Sequence, residues 1–182
     1  MSKARYAVTA LSVSLAGILS IANFEGFADH VMIPVPGDMP TGGFGHADKR
    51  LPVGQLVTET QAVTWLKEDL EKHRAYLEKC VKVPLSQSEY DALLSFTFNV
   101  GGEAFCNSTL LKKLNAGDYE GACEGLKAWV YSGGVKYKGL ETRRNIERLM
   151  CSDGLYPAIP SSLDRFMSDF EKIVGETKHE HQ

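Results

Sequence analysis

Glu25, Asp38, Thr41 and His46 are the side chains best placed in this sequence to do chemistry together. Glu25 follows directly on an uncharged apolar run. A second carboxylate and a hydroxyl come soon after it, among the turn pairs Gly37-Asp38 and Gly42-Gly43, where positive φ is unstrained. Thr41, Phe44 and His46 are then expected on short extended segments beside Glu25. An acid, a base and a water-orienting hydroxyl gathered in one small lobe are what hydrolysis of a sugar–sugar bond requires. Taken one at a time, a Glu after an apolar helix also reads as a solvated helix end, and Gly-Asp as a bare turn.

A resemblance separates these readings. Glu25-Gly26, then Pro40-Thr41, then Gly43-Phe44-Gly45-His46 resembles the signature of the phage-type lysozymes, glycoside hydrolase family 24. The likeness continues in order through Pro84-Leu85-Ser86-Gln87, Ser95-Phe96-Thr97-Phe98-Asn99-Val100-Gly101, Ser108-Thr109-Leu110-Leu111 and Gly139-Leu140-Glu141-Thr142-Arg143-Arg144, covering roughly residues 24 to 153. It implies a substrate, the glycan strands of peptidoglycan, cut between N-acetylmuramic acid and N-acetylglucosamine. It also implies roles: Glu25 as general acid, Thr41 as the residue that orients water, and Arg143 or Arg144 as a basic partner of Glu25. The alternative for the two arginines is an ordinary salt bridge within the helical lobe. His46 is expected to be a structural hydrogen-bonding residue.

The second carboxylate departs from the pattern. The spacing from Glu25 to Thr41 is one residue too long, and the positions where the family carries Asp or Cys are Pro34 and Val35. Asp38 is the nearest acid and is taken as the base, with Asp29 and Asp48 as weaker candidates. Without a base, Glu25 alone would suit a lytic transglycosylase. An inactive wall-binding relic of the fold is the other class to exclude.

The chain has 182 residues, a formal charge of −3 and a pI near 6.0, which provide no general attraction to nucleic acid. A monomer is expected. Neither a cofactor nor a metal is implied, because Cys80, Cys106, Cys123 and Cys151 have no zinc-ligand spacing. In an exported protein they are disulfide candidates with three possible pairings. Cys123 and Cys151 fall on helices expected to be neighbours, and Cys80 and Cys106 flank one hydrophobic helix, so those two pairs are predicted.

These residues need a frame, and the pattern predicts an α+β one: a small lobe with a hairpin or sheet over 25–57, a connecting helix over 58–81 and a helical lobe over 84–153. In the connecting helix Ala62, Trp65, Leu66, Leu70 and Tyr76 are expected to face inward. Ser86 and Glu89 have capping-box spacing ahead of the apolar helix that Gly101-Gly102 ends. Further helices are expected over about 108–115, 118–131 and 139–152, with Ser132-Gly133-Gly134 as a loop. A C-terminal extension, 154–182, carries Leu163, Phe166, Phe170 and Ile173 on one side of a last helix. His179 and His181, in its polar tail, read as solvent-facing.

Residues 1–24 start with Lys3 and Arg5 and run from Tyr6 to Phe24 without a charge. As one helix this run would span about 28 Å, close to a bilayer's hydrocarbon thickness. Its many small and hydroxylated residues make insertion marginal. A cleaved signal peptide and a stable anchor compete with a third reading that the resemblance implies, the signal-anchor-release segment of similar endolysins from lambdoid phages. Release is the reading taken, because a cleaved end would leave Glu25 near a frayed terminus. It implies export, tethering to the inner membrane through residues 6–24 facing the periplasm, and then release into the periplasm.

Overall fold

The computed structural model describes residues 3–179. The apolar run is not one helix. Tyr6 forms an antiparallel bridge with Leu85, each donating its N–H to the other's carbonyl at 2.8 Å. A single 3-10 turn follows over Val8–Ala10. The helix α1 (Leu15–Glu25) begins only at Ser14, whose hydroxyl accepts the Gly17 N–H at 3.0 Å. A serine in extended conformation ahead of a helix is a start signal, and it divides the expected helix in two. Val8, Leu11 and Val13 are buried in the core. Among the described residues no helix is long and apolar enough to cross a membrane.

The small lobe is a three-stranded antiparallel sheet, β1 (Ala28–Met32), β2 (Thr41–Gly43) and β3 (His46–Ala47), in the order β1-β2-β3. Thr41 pairs with Ala47 and Gly42 with His46. Residues 33–39 form an exposed excursion between β1 and β2.

Helix α2 (Glu59–Cys80) connects the lobes and starts where the Thr58 hydroxyl accepts the Gln61 N–H at 3.2 Å. Its buried face is Ala62, Val63, Leu66, Leu70 and Leu77. Trp65 and Tyr76, expected inward, are only half-buried, Trp65 packing on the core's margin. Helix α3 (Gln87–Val100) is the hub of the helical lobe, packing against α1, α2 and α7 (Lys138–Asp153). Its capping box is complete in both directions.

Beyond α3 the chain departs from expectation twice. Gly101 ends α3, but Gly102 opens a further short helix, α4 (Gly102–Cys106). After α5 (Thr109–Asn115), helix α6 (Tyr119–Gly125) tightens into a 3-10 turn over Leu126–Ala128 and stops short of residue 131. The residues read as helix end and loop make a hairpin, β4 (Tyr131–Ser132) with β5 (Val135–Lys136), closed by Gly133-Gly134. Disulfides join Cys80 to Cys106 and Cys123 to Cys151, the predicted pairs. The first ties the connecting helix α2 to α4 of the helical lobe, and the second ties α6 to α7 within that lobe.

A 3-10 helix over Ser161–Phe166 leads into α8 (Met167–His179). Leu163, Phe166, Phe170 and Ile173 are all buried, as the amphipathic pattern requires, against α1, α2 and the small lobe. His179 is the last residue of α8, and His181 lies outside the described residues.

Candidate active site

Glu25 is the last residue of α1, delivered to the space between the lobes by the helix that carries it. Gly26 turns the chain out of the helix at φ +68°, its N–H still bonded to the Ala22 carbonyl at 3.0 Å. A positive φ at this helix end favours glycine. The chain can then enter β1 without displacing the carboxylate.

Arg143 comes to Glu25 from α7. Its Nη1 lies 2.7 Å from Glu25 Oε1, its Nε 3.0 Å from Glu147 Oε1, and its Nη2 donates to the Ser95 carbonyl at 3.1 Å. The guanidinium also stands over the Phe24 ring, 4.8 Å from its centroid. With three anchors and almost no exposure, Arg143 fixes one oxygen of Glu25 and leaves the other available.

The choice between the two arginines is thereby made by geometry. Arg144 turns into the helical lobe, where it pairs with Glu147 at 3.1 Å and covers the Phe96 ring. Burial pulls Arg144 down to about 10, still protonated at neutral pH. Burial pushes the Glu147 carboxyl up, opposed by Arg144 and Arg143 and by the Ser95 hydroxyl, which donates to it at 2.7 Å. Ser95, Glu147 and Arg144 are a support for Arg143.

The free oxygen of Glu25, Oε2, faces Gly45. A β-carbon added at Gly45 would stand 3.2 Å from Oε2, and the residue's φ is +83°. Any other residue there would be strained and would press on the carboxylate.

Glu25 lines two cavities. The larger, about 750 Å³, lies toward the helical lobe and is bounded by Phe24, Asn99, Tyr137, Thr142, Arg143 and Ile146 among others. The smaller, about 260 Å³, lies toward the sheet and is bounded by Phe27, Met32, Pro34, Thr41 and Gly45 among others. An extended ligand laid in both would cross the carboxylate. Thr41 stands on that sheet side, its hydroxyl donating to the Met39 carbonyl at 3.0 Å, so its lone pairs remain open to a donor.

Asp38 is not brought to this group. It sits in the exposed 33–39 excursion, its N–H bonded to the Val35 carbonyl at 2.9 Å, and it lines neither cavity. Asp29 is tied to His30 at 3.0 Å, and Arg50 holds the Asp48 carboxyl well below the usual carboxylate range. His46 is buried, with Nδ1 2.8 Å from Asp69 Oδ2 and its ring stacked on Trp65 at 4.7 Å, away from Glu25. Among the described residues no group of His, Cys, Asp and Glu could hold a metal ion.

Sequence reasoning missed Glu147, Asn99 and Tyr137. Glu147 carried a usable signal, since it lies three and four residues after the two arginines on one helix. Asn99 stood in the Ser95–Gly101 block of the resemblance without a role, and Tyr137 carried no signal; the packing of α3 against α7 brings both to the cavity.

The phage lysozyme family model matches residues 22–147. The SAR-endolysin of bacteriophage PS119 is 41% identical over 108 residues, which cover 59% of this chain and 65% of that protein. The chain therefore spans just under two thirds of that relative's length. Among solved structures, the endolysin of Escherichia coli O157:H7 phage FAHEc1 is 35% identical with a TM-score of 0.74, the match covering 81% of this chain and 98% of that one. The muramidase domain of SpmX from Asticaccaulis excentricus is 31% identical with a TM-score of 0.71, covering 78% and 97%.

Proposed function

The chain belongs to the phage lysozyme family, and we propose that it is an endolysin that hydrolyses peptidoglycan between N-acetylmuramic acid and N-acetylglucosamine and so lyses the host cell. The observation that carries this reading is the state of Glu25: one oxygen held at 2.7 Å by Arg143, the other turned to the junction of two cavities. Glu25 gives its proton to the glycosidic oxygen as the bond to the sugar C1 breaks. Arg143, already in place, stabilises the carboxylate that results. Thr41 accepts a hydrogen bond from the attacking water, whose proton passes to solvent, since Asp38 lines neither cavity. The protein acts as a monomer in the periplasm. It is exported through residues 6–24, held at the inner membrane with Lys3 and Arg5 on the cytoplasmic side, and then released.

The exposed position of Asp38 favours a second reading. With no carboxylate but Glu25 lining the sheet-side cavity among the described residues, the 6-hydroxyl of the muramyl residue could attack its own C1, as in a lytic transglycosylase. Mass analysis of purified peptidoglycan digested by the protein decides between them. Free reducing ends are expected of the hydrolase. Anhydro-muramyl ends, one water lighter, would replace it with the transglycosylase.

A further inference from the structure

Residues 155–175 lie beyond the 22–147 stretch matched by the family and take no part in the chemistry above. They nevertheless run along α1 from one end to the other. At its start, the Tyr156 hydroxyl donates to Asp91 Oδ2 at 2.6 Å, the same carboxyl that receives the Ser14 hydroxyl at 2.6 Å and the Ser14 N–H at 3.0 Å. At its far end, Phe166 stands edge-on to two rings, 5.1 Å from Phe27 and 5.0 Å from Phe44. Phe170 backs the same cluster, 5.7 Å from Phe44 and 5.8 Å from Phe166. Phe166, Phe170 and Phe44 are all buried.

The two rings that Phe166 touches belong to the two segments that frame the carboxylate. Phe27 follows Glu25 by two residues and fixes how α1 leaves the site. Phe44 immediately precedes Gly45, whose backbone lies against Glu25 Oε2. Moving either segment would move the free oxygen relative to Thr41, which is on the same strand as Gly43. Edge-to-face ring pairs are directional as well as apolar, so they set an angle and not merely a distance.

We infer that the C-terminal segment is a positioning element for the acid, with Phe166 as its positioning residue: the ring packed edge-on against both Phe27 and Phe44, which also touch each other at 5.7 Å, sets the seat of Glu25 against the β2–β3 turn. The inference rests on the reading of Glu25 as the general acid. Phe166 touches no substrate and acts only through its two neighbours.

The test compares Phe166→Leu, which keeps apolar bulk and loses the ring, with Leu163→Val, a small loss of apolar bulk on the same buried face that removes no ring pair. Both are assayed as the full chain on soluble peptidoglycan oligomers, after unfolding curves confirm that each is folded at the assay temperature. A misplaced acid should lower kcat by about ten- to a hundredfold. KM should stay within about twofold, since the cavities' lining is untouched, and Leu163→Val should keep wild-type kcat. Should Phe166→Leu not fold, Phe170→Leu takes its place with the same expected split. Unchanged kcat in the phenylalanine variant, or equal losses in it and in Leu163→Val, overturns the inference. Glu25→Gln, run alongside, separates the two levels: full activity there sinks the acid assignment itself, whatever Phe166 does.

Discussion

Gly17→Ala sets two effects of similar size against each other. Gly17 lies inside α1, where alanine is better than glycine by about 1 kcal/mol from helix propensity alone. The structure predicts the opposite sign. A β-carbon at Gly17 would stand 2.7 Å from Asp91 Cγ and 2.8 Å from its Oδ1. Ordinary carbon contacts begin at about 3.5 Å, so Asp91 or α1 would have to give by about 0.8 Å. Asp91 cannot do so freely, because Ser14, Tyr156 and Gln87 all bond to it. Overpacking of this kind costs about 1–3 kcal/mol, and losing one of those buried bonds about 1–3 kcal/mol more. The net expectation is a loss of about 1–5 kcal/mol, at roughly 2–4 °C in Tm for each kcal/mol. Denaturant unfolding of the full chain measures it. The same substitution in an Asp91→Ala background should lose its cost, since the obstructing group is gone. A single variant stabilised by about 1 kcal/mol, as propensity alone requires, would refute the packing of α1 on α3.

Arg5→Met should cost about 1.5–3 kcal/mol, because Arg5 makes a bidentate pair with the buried Glu89 at 2.7 and 2.9 Å. Burial raises the Glu89 carboxyl, but the Arg5 and Ser86 hydrogen bonds outweigh it and hold the value below the ordinary 4.5. This stability is therefore complete above about pH 4.5 and lost as pH falls through the lowered folded value. Unfolding curves at pH 7 and pH 3 should show the variant's deficit shrinking in acid. Reducing Cys80–Cys106 or Cys123–Cys151 should each cost about 2–4 kcal/mol, read as a lower denaturation midpoint with and without reductant. Replacing the exposed Ala7, Thr9 and Ala10 by Leu leaves the docked contacts of α1 in place and adds about 1–2 kcal/mol of insertion preference. Fractionation after membrane depolarisation should find that variant in the membrane and the wild type in the soluble fraction; identical partitioning would remove the release step.

Features set by neighbours in sequence were legible before the structure. The Ser86–Glu89 box, the inward stripe Leu163, Phe166, Phe170, Ile173 and the two cysteine pairs each follow from a local period or from helices close in the chain. What was not legible depends on distant partners. The apolar run over 6–24 breaks at Ser14 because Asp91, 77 residues away, receives that serine. Arg143 and Arg144 are equivalent in sequence, and only the angle of α7 sends one to Glu25 and the other to the lobe's interior. The 131–136 hairpin has two residues per strand, too few to show an alternating pattern. In the site, Glu25 and Thr41 were found through resemblance, while the remoteness of Asp38 from both cavities follows from the course of an exposed loop that no periodicity describes.

The central claim is that Glu25 donates the proton that breaks the glycosidic bond. Glu25→Gln keeps the shape of the side chain and its contact with Arg143 but has no acidic proton to give. Clearing of exposed peptidoglycan by this variant should fall by about 10²–10⁴-fold, while sedimentation with intact glycan shows binding retained. Clearing at the wild-type rate would contradict the account and require a different acid.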